Sequence, residues 1–213
     1  MKTIKLALLA LVLIASYNCK ENKKESKEEI EEVEVVASEK FSLVQDSTKV
    51  SFTAYKTSEK LPVGGQFTNI NITKSGSGSS ALEAMNGTEF SIPVSSLFTN
   101  DATETRDPKI IEFFFGAMEN TTLISGVFKV SDDEKSSIDV TLNGKTANIP
   151  LITEMTSEST YTFNGVMNLE NWDALAAVAS LNKACEALHT GKDGVSKTWN
   201  EVAVQAEVLL QKE

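Results

Sequence analysis

Histidine, arginine and cysteine are nearly missing from this chain. Its 213 residues include one His, His189, two Cys, Cys19 and Cys185, and a single Arg, Arg106. One His cannot build a multi-histidine metal site, and no Ca²⁺-loop spacing is present, so no metal ligand set is expected. Clustered basic residues are also lacking. The formal net charge is −10, which argues against a nucleic-acid partner, because phosphate binding needs grouped Lys and Arg. There is no G-x-S-x-G elbow for a Ser-His-Asp hydrolase, and Ser75–Ser80 (SGSGSS) lacks the Lys and following helix of a phosphate loop. These shortages remove many enzyme mechanisms, and no catalytic residue is expected.

What is present begins with a targeting pattern. Lys2 and Lys5 precede an apolar run from Leu6 to Ala15, shorter than the roughly 20 residues that span a bilayer. Cys19 follows the run and resembles the acylated Cys of a bacterial lipobox, although Asn18 stands where a small residue is usual. Residues 1–18 are therefore expected to be a lipoprotein signal peptide, with Cys19 lipidated. An ordinary signal peptide with an incidental Cys is the alternative. Residues 19–40, dominated by Glu and Lys without aromatics, Gly or Pro, read as a flexible charged tether. The expected location is the cell envelope or periplasm, on a bacterial membrane. Lipidation of Cys19 would leave Cys185 without a disulfide partner.

From Phe41 to Glu213 the texture is that of one β domain. Lys49–Lys56 alternates Val50, Phe52 and Ala54 with polar neighbours, the period of a half-buried strand. Pro62–Gly65 reads as a turn. Similar runs follow at residues 66–74, 88–95, 121–131, 137–142, 147–153, 161–169 and 201–210. Pro93 suggests an edge or bulge, and Asn143-Gly144 a hairpin. Two helices interrupt: a short one from Asp107-Pro108 to about Phe115, capped by Asp107, and one over 173–190, capped by Asp173, with Leu175, Val178, Leu181, Cys185 and Leu188 on one face. About eight strands with two helical inserts predict an all-β, antiparallel eight-stranded barrel, filled by side chains or holding one ligand.

The domain resembles the YceI-like family of exported lipid-binding proteins. The likeness is carried by Phe41 through Phe52, by Gly65-Gln-Phe67, and by Ser95 through Asn100 followed by Arg106-Asp107 and Phe113-Phe114. Ser125-Gly126-Val-Phe128 and Leu142-Asn-Gly144-Lys145-Thr146 continue it. Phe41 stands where the family usually has Trp, residues 100–106 form an unusual insert, and Trp172–Trp199 is longer and more helical than expected. The resemblance implies a lipocalin-like barrel binding a polyisoprenoid or other long amphiphile, such as a quinone or fatty acid. No other cofactor is implied.

Inward strand positions supply the candidate ligand-binding residues: Val50, Phe52, Phe67, Phe90, Ile92 and Phe128, with Phe113 and Phe114 covering one end. For any single one of these, plain core packing is the competing reading. Arg106 and Asp107 invite a headgroup role, against a simpler one in which Asp107 caps a helix and Arg106 pairs with a carboxylate. Cys185 and His189 fall four residues apart, the spacing of a nucleophile–base or ligand pair, against buried packing of Cys185 and a helix-terminal His. The expected function is non-enzymatic binding, transport or sequestration of a long-chain lipid. Its partners are that lipid and the membrane, and the sequence leaves room for a homodimer. The alternatives are a structural or stress-response envelope protein with a filled barrel and a protein partner, and an enzyme using Cys185 and His189.

Overall fold

The computed structural model describes residues 39–212. The expected signal peptide, Cys19 and most of the tether lie outside the described residues. The strands are β1 (Phe41–Leu43), β2 (Lys49–Lys56), β3 (Leu61–Phe67), β4 (Asn71–Lys74), β5 (Ser77–Gly78), β6 (Glu89–Pro93), β7 (Leu97–Phe98), β8 (Leu123–Val130), β9 (Ser136–Leu142), β10 (Lys145–Pro150), β11 (Ile152–Met155), β12 (Thr160–Asn168) and β13 (Glu201–Lys212). The helices are α1 (Ala81–Met85), α2 (Arg106–Phe113), α3 (Leu175–Ala184) and α4 (Glu186–His189).

All pairings are antiparallel, and they fall into two sheets, β11-β12-β13-β2-β3-β7 and β10-β9-β8-β6-β4. The chain carries strands between the sheets at both edges. Leu151 separates β10 in one sheet from β11 in the other. At the opposite edge, β3 continues into β4 while β6 continues into β7, and the Thr68 amide donates to Ser96 O at 2.9 Å where they cross. With these bent strands counted whole, the neighbour order runs through eight strands and returns to β2, which pairs with β13. The strand order thus closes on itself, while Leu61–Gly65 of β3 keeps one side without a partner strand.

Local chemistry explains the elements. Between β9 and β10, Asn143 and Gly144 have φ of 53° and 68°, as a two-residue hairpin of this hand requires. The β2–β3 turn is instead made by Thr57 to Lys60, both with positive φ, and Pro62-Val63-Gly64-Gly65 lies inside β3, which corrects the expected turn. Pro62 is tolerated there because β7 pairs only with Gln66 and Phe67, so nothing on that side needs its missing N–H. Pro93 ends β6 beyond the reach of β4, where the chain leaves one sheet for the other. The Ser75–Ser80 stretch holds β5, and Ser80 caps α1 by accepting from the Glu83 amide at 3.2 Å, while Glu83 accepts from Ser79 N at 2.8 Å.

Both helical expectations need correction. Asp107 is not the cap of α2, since Thr105 precedes the helix and the Asp107 carboxylate reaches instead to Thr99. The long insert is two helices broken at Cys185, and Asp173 has left-handed backbone after a 3₁₀ turn over Leu169–Trp172. Its apolar stripe is only partly covered: Val178 and Cys185 are buried, whereas Leu175 and Leu188 are exposed.

Two clusters form the core. One joins Leu43, Ala81, Ala84 and Met85 of β1 and α1 to Phe128, Phe163, Val208 and Leu210, closing one end of the strand ring. The other joins Val94, Phe115, Leu142, Leu169 and fully buried Trp172 at the α2–α3 end. The Trp172 indole N–H donates to Val140 O at 2.8 Å, so its one polar atom is satisfied.

Candidate functional site: an apolar interior with a polar mouth

Alternation places Val50, Phe52 and Ala54 of β2, Phe90 and Ile92 of β6, Ile124 and Phe128 of β8, and Val202, Val204, Ala206 and Val208 of β13 toward one interior. Two voids of about 140 Å³ each lie there. The inner void touches Leu43, Met85, Phe90, Phe128, Ile149 and Phe163, toward the end where β1 and α1 pack. The outer one touches Phe52, Ile110, Phe114, Phe115, Val178 and Leu181, toward α2 and α3. Phe67, Ile124, Met167 and Val204 line both and so form a waist between them. The walls are almost wholly hydrocarbon. One exception is Thr88, 2 % exposed on the inner void, whose hydroxyl has no partner among the described residues.

The outer void shares Phe52, Ala54, Ile110, Leu181 and Thr198 with a larger opening of about 490 Å³. That mouth adds a polar rim of Lys56, Asp101, Thr103, Thr105, Arg106, Lys109 and His189, with Cys185 beside them. Asp107 fixes α2 at the rim: it accepts from the Thr99 amide at 3.1 Å and from the Thr99 hydroxyl. Arg106 contacts Asp101 at 3.4 Å. The Thr103 hydroxyl, then the Thr105 amide and the Arg106 charge, hold the Asp101 carboxyl below the usual range. His189 Nδ1 lies 2.6 Å from the Thr198 hydroxyl, which donates to Asn182 Oδ1 at 2.9 Å. Burial, and then the neighbouring Lys56 ammonium, push the His189 pKa below that of a free imidazole. Among the described residues, no three His, Cys, Asp or Glu side chains gather as a metal site would need, and no helix is long and apolar enough to cross a membrane.

No family model and no curated protein matches the sequence. Solved structures do match. A polyisoprenoid-binding domain from Saccharophagus degradans, implicated in plant cell wall breakdown, superposes with a TM-score of 0.55 at 13 % identity, over 81 % of this chain and 98 % of that one. The fold is YceI-like. The Campylobacter jejuni YceI protein is similar too, with a TM-score of 0.50 at 17 % identity, over 71 % of this chain and 85 % of that one.

Within this YceI-like frame the structure brings most of the candidate residues together. Val50, Phe90, Ile92 and Phe128 line the inner void, Phe52 and Phe114 the outer one, and Phe67 both. Phe113 lines neither. The aromatic pair at the interior is Phe114–Phe115, with ring centroids 5.1 Å apart, because Phe115 follows the last turn of α2 into the core. Arg106 has the simpler contact weighed for it, a carboxylate partner, and it also lines the mouth, whereas Asp107 holds Thr99 instead of capping α2. Sequence reasoning missed the waist residues Ile124, Met167 and Val204, although each sits at an inward strand position. It also passed over Lys56 and Lys109. A lone Lys at a strand end or on a short helix looks like any solvated charge until the fold sets it beside an apolar opening. The long insert of the YceI-like barrel supplies Leu181, Cys185, Leu188 and His189 to that opening.

Proposed function

We propose that this protein binds a long-chain amphiphile of the polyisoprenoid, quinone or fatty-acyl kind, without catalysis, from a position on a cell-envelope membrane set by acylated Cys19. The observation that carries the reading is the run of inner void, waist, outer void and mouth along one interior. A tail entering there exchanges water for hydrocarbon at roughly 0.8 kcal/mol per buried CH₂, so few polar contacts are needed. The binding property in the name of the Saccharophagus degradans domain supports the same class of ligand. Binding of this kind serves transport or sequestration and requires no covalent step.

Each void, at about 140 Å³, matches the size of an apolar cavity that accepts one benzene ring. A long tail must therefore displace the waist, where the flexible Met167 thioether and the Phe67 ring are the parts that can swing. The same small volumes favour, as a second reading, a filled barrel that acts through a protein partner.

The full chain carrying Cys19→Ser, so that no acyl group of its own enters the extract, separates these. Purified from a bacterial host and extracted with organic solvent, it is expected to release a near-stoichiometric long-chain compound. A clean extract, with no thermal shift on adding quinones, prenols or fatty acids, would move the assignment to the filled barrel.

A further inference from the structure

The rim of the mouth has a charge opposite to that of the whole molecule. The chain carries −10, yet the opening is lined by Lys56, Arg106 and Lys109 against the single carboxylate of Asp101. That carboxylate is already committed. Its Oδ1 contacts Arg106, and its Oδ2 accepts from the Thr103 hydroxyl at 2.6 Å and from the Thr105 and Arg106 amides at 3.2 and 3.3 Å. Lys56 and Lys109 have no ion-pair partner among the described residues, although eight other basic side chains there do. Lys109 and Arg106 are one helical turn apart on α2, and the adjacent Ile110 reaches the outer void, so the helix turns cations to the rim and hydrocarbon to the interior. Lys56 ends β2 on the other side of the opening, facing His189 of α4.

We propose that the mouth selects an anionic headgroup, a carboxylate or a phosphate, on a single-chain amphiphile whose tail lies in the apolar interior. This rests on the interior-binding reading above and specifies its ligand class. Two uncompensated ammonium groups at a partly enclosed rim provide charge-assisted hydrogen bonds that a neutral alcohol or quinone cannot match. The Arg106 guanidinium, held in place by Asp101, adds a third donor. An anion there would also lie close to His189 and favour its protonated form. Because His189 is the only His of the chain, its ring signals report on the mouth without assignment.

The test pairs each acid with its neutral counterpart on the full chain carrying Cys19→Ser: palmitate against hexadecanol, and farnesyl phosphate against farnesol. The acid of at least one pair is expected to bind roughly tenfold or more tightly, a difference of about 1.4 kcal/mol or more, and the pair that discriminates identifies carboxylate or phosphate. Lys56→Gln together with Lys109→Gln should lower that acid-to-alcohol ratio toward one. NMR titration of His189 should show its pKa rising when the acid is bound and staying put with the alcohol. Equal binding of acid and alcohol would overturn the anionic headgroup and leave the interior reading standing. A preference that survives the double substitution would also overturn it. Failure of all four compounds to bind would remove the interior reading and this inference with it.

Discussion

Phe52 and Phe90 each look across the strand at a glycine. Phe52 pairs with Gly65, and Phe90 with Gly126, and in both cases the ring lies where a neighbouring Cβ would be. The missing side chains are what let two aromatic rings lie flat against the interior wall instead of filling its centre. The two glycines differ in what else is near. A methyl at Gly126 would press on the Asp139 carbonyl as well as the Phe90 ring, and backbone cannot move aside, whereas at Gly65 it would meet the far end of the Phe52 ring and the Thr99 methyl. Gly126→Ala is therefore expected to cost about 1–3 kcal/mol, and Gly65→Ala to stay within about 1 kcal/mol of the parent. Urea unfolding of the two variants checks this, and an equal loss at both sites would show that ring displacement alone sets the cost. At this scale the inward Phe positions were legible, because alternation fixes the face of every strand residue. Phe113 was not, since each helical residue turns about 100° from the last and a run of three Phe does not say which two will face inward.

The elements are tied together by contacts that the chain pattern does not announce. Periodicity located nearly every strand, but it could not show that residues 66–74 and 147–153 each divide between two sheets, because a bent strand keeps its alternation while it changes partners. The same limit hid the break at Cys185, where the backbone leaves helical values at φ −113° and ψ 19° although the apolar spacing continues through it. In α2 the signals at Asp107 and Pro108 were sound for a helix start, and the carboxylate was put to another use. It spans from the first turn of α2 to buried Thr99 just beyond β7, so it fixes the helix that carries Arg106, Lys109 and Ile110 to the mouth. Asp107→Ala leaves the Thr99 amide and hydroxyl without their acceptor and is expected to cost about 1–3 kcal/mol. Asp107→Asn retains one acceptor oxygen and should recover part of that loss. Hydrogen exchange would localise the effect: α2 amides should lose protection in Asp107→Ala while β12 and β13 keep theirs. Uniform loss across the sheet would assign Asp107 to global stability rather than to the seating of α2.

The two ends of the interior differ. At one end, Leu43 of β1 and Met85 of α1 line the inner void and pack with Phe128, Phe163, Val208 and Leu210 as a plug, and a side opening shares Thr48, Ile70 and Gln205 with that void. At the other end, the outer void shares its wall with the mouth. An interior plugged at the β1–α1 end makes a prediction that a surface groove would not. Affinity for saturated acyl chains of increasing length should first rise by up to about 0.8 kcal/mol for each CH₂ that reaches the waist and the inner void. It should then stop rising once the tail meets the β1–α1 plug, because further carbons must fold back or remain in water. Titration calorimetry with a series of fatty acids, on the Cys19→Ser chain, measures where that plateau begins. Met85→Ala opens space at the plug and should move the plateau to longer chains, while Met167→Phe at the waist should shorten it. A steady gain with length and no plateau would mean that the tail lies along the outside of the sheet, and the interior would then be core rather than site.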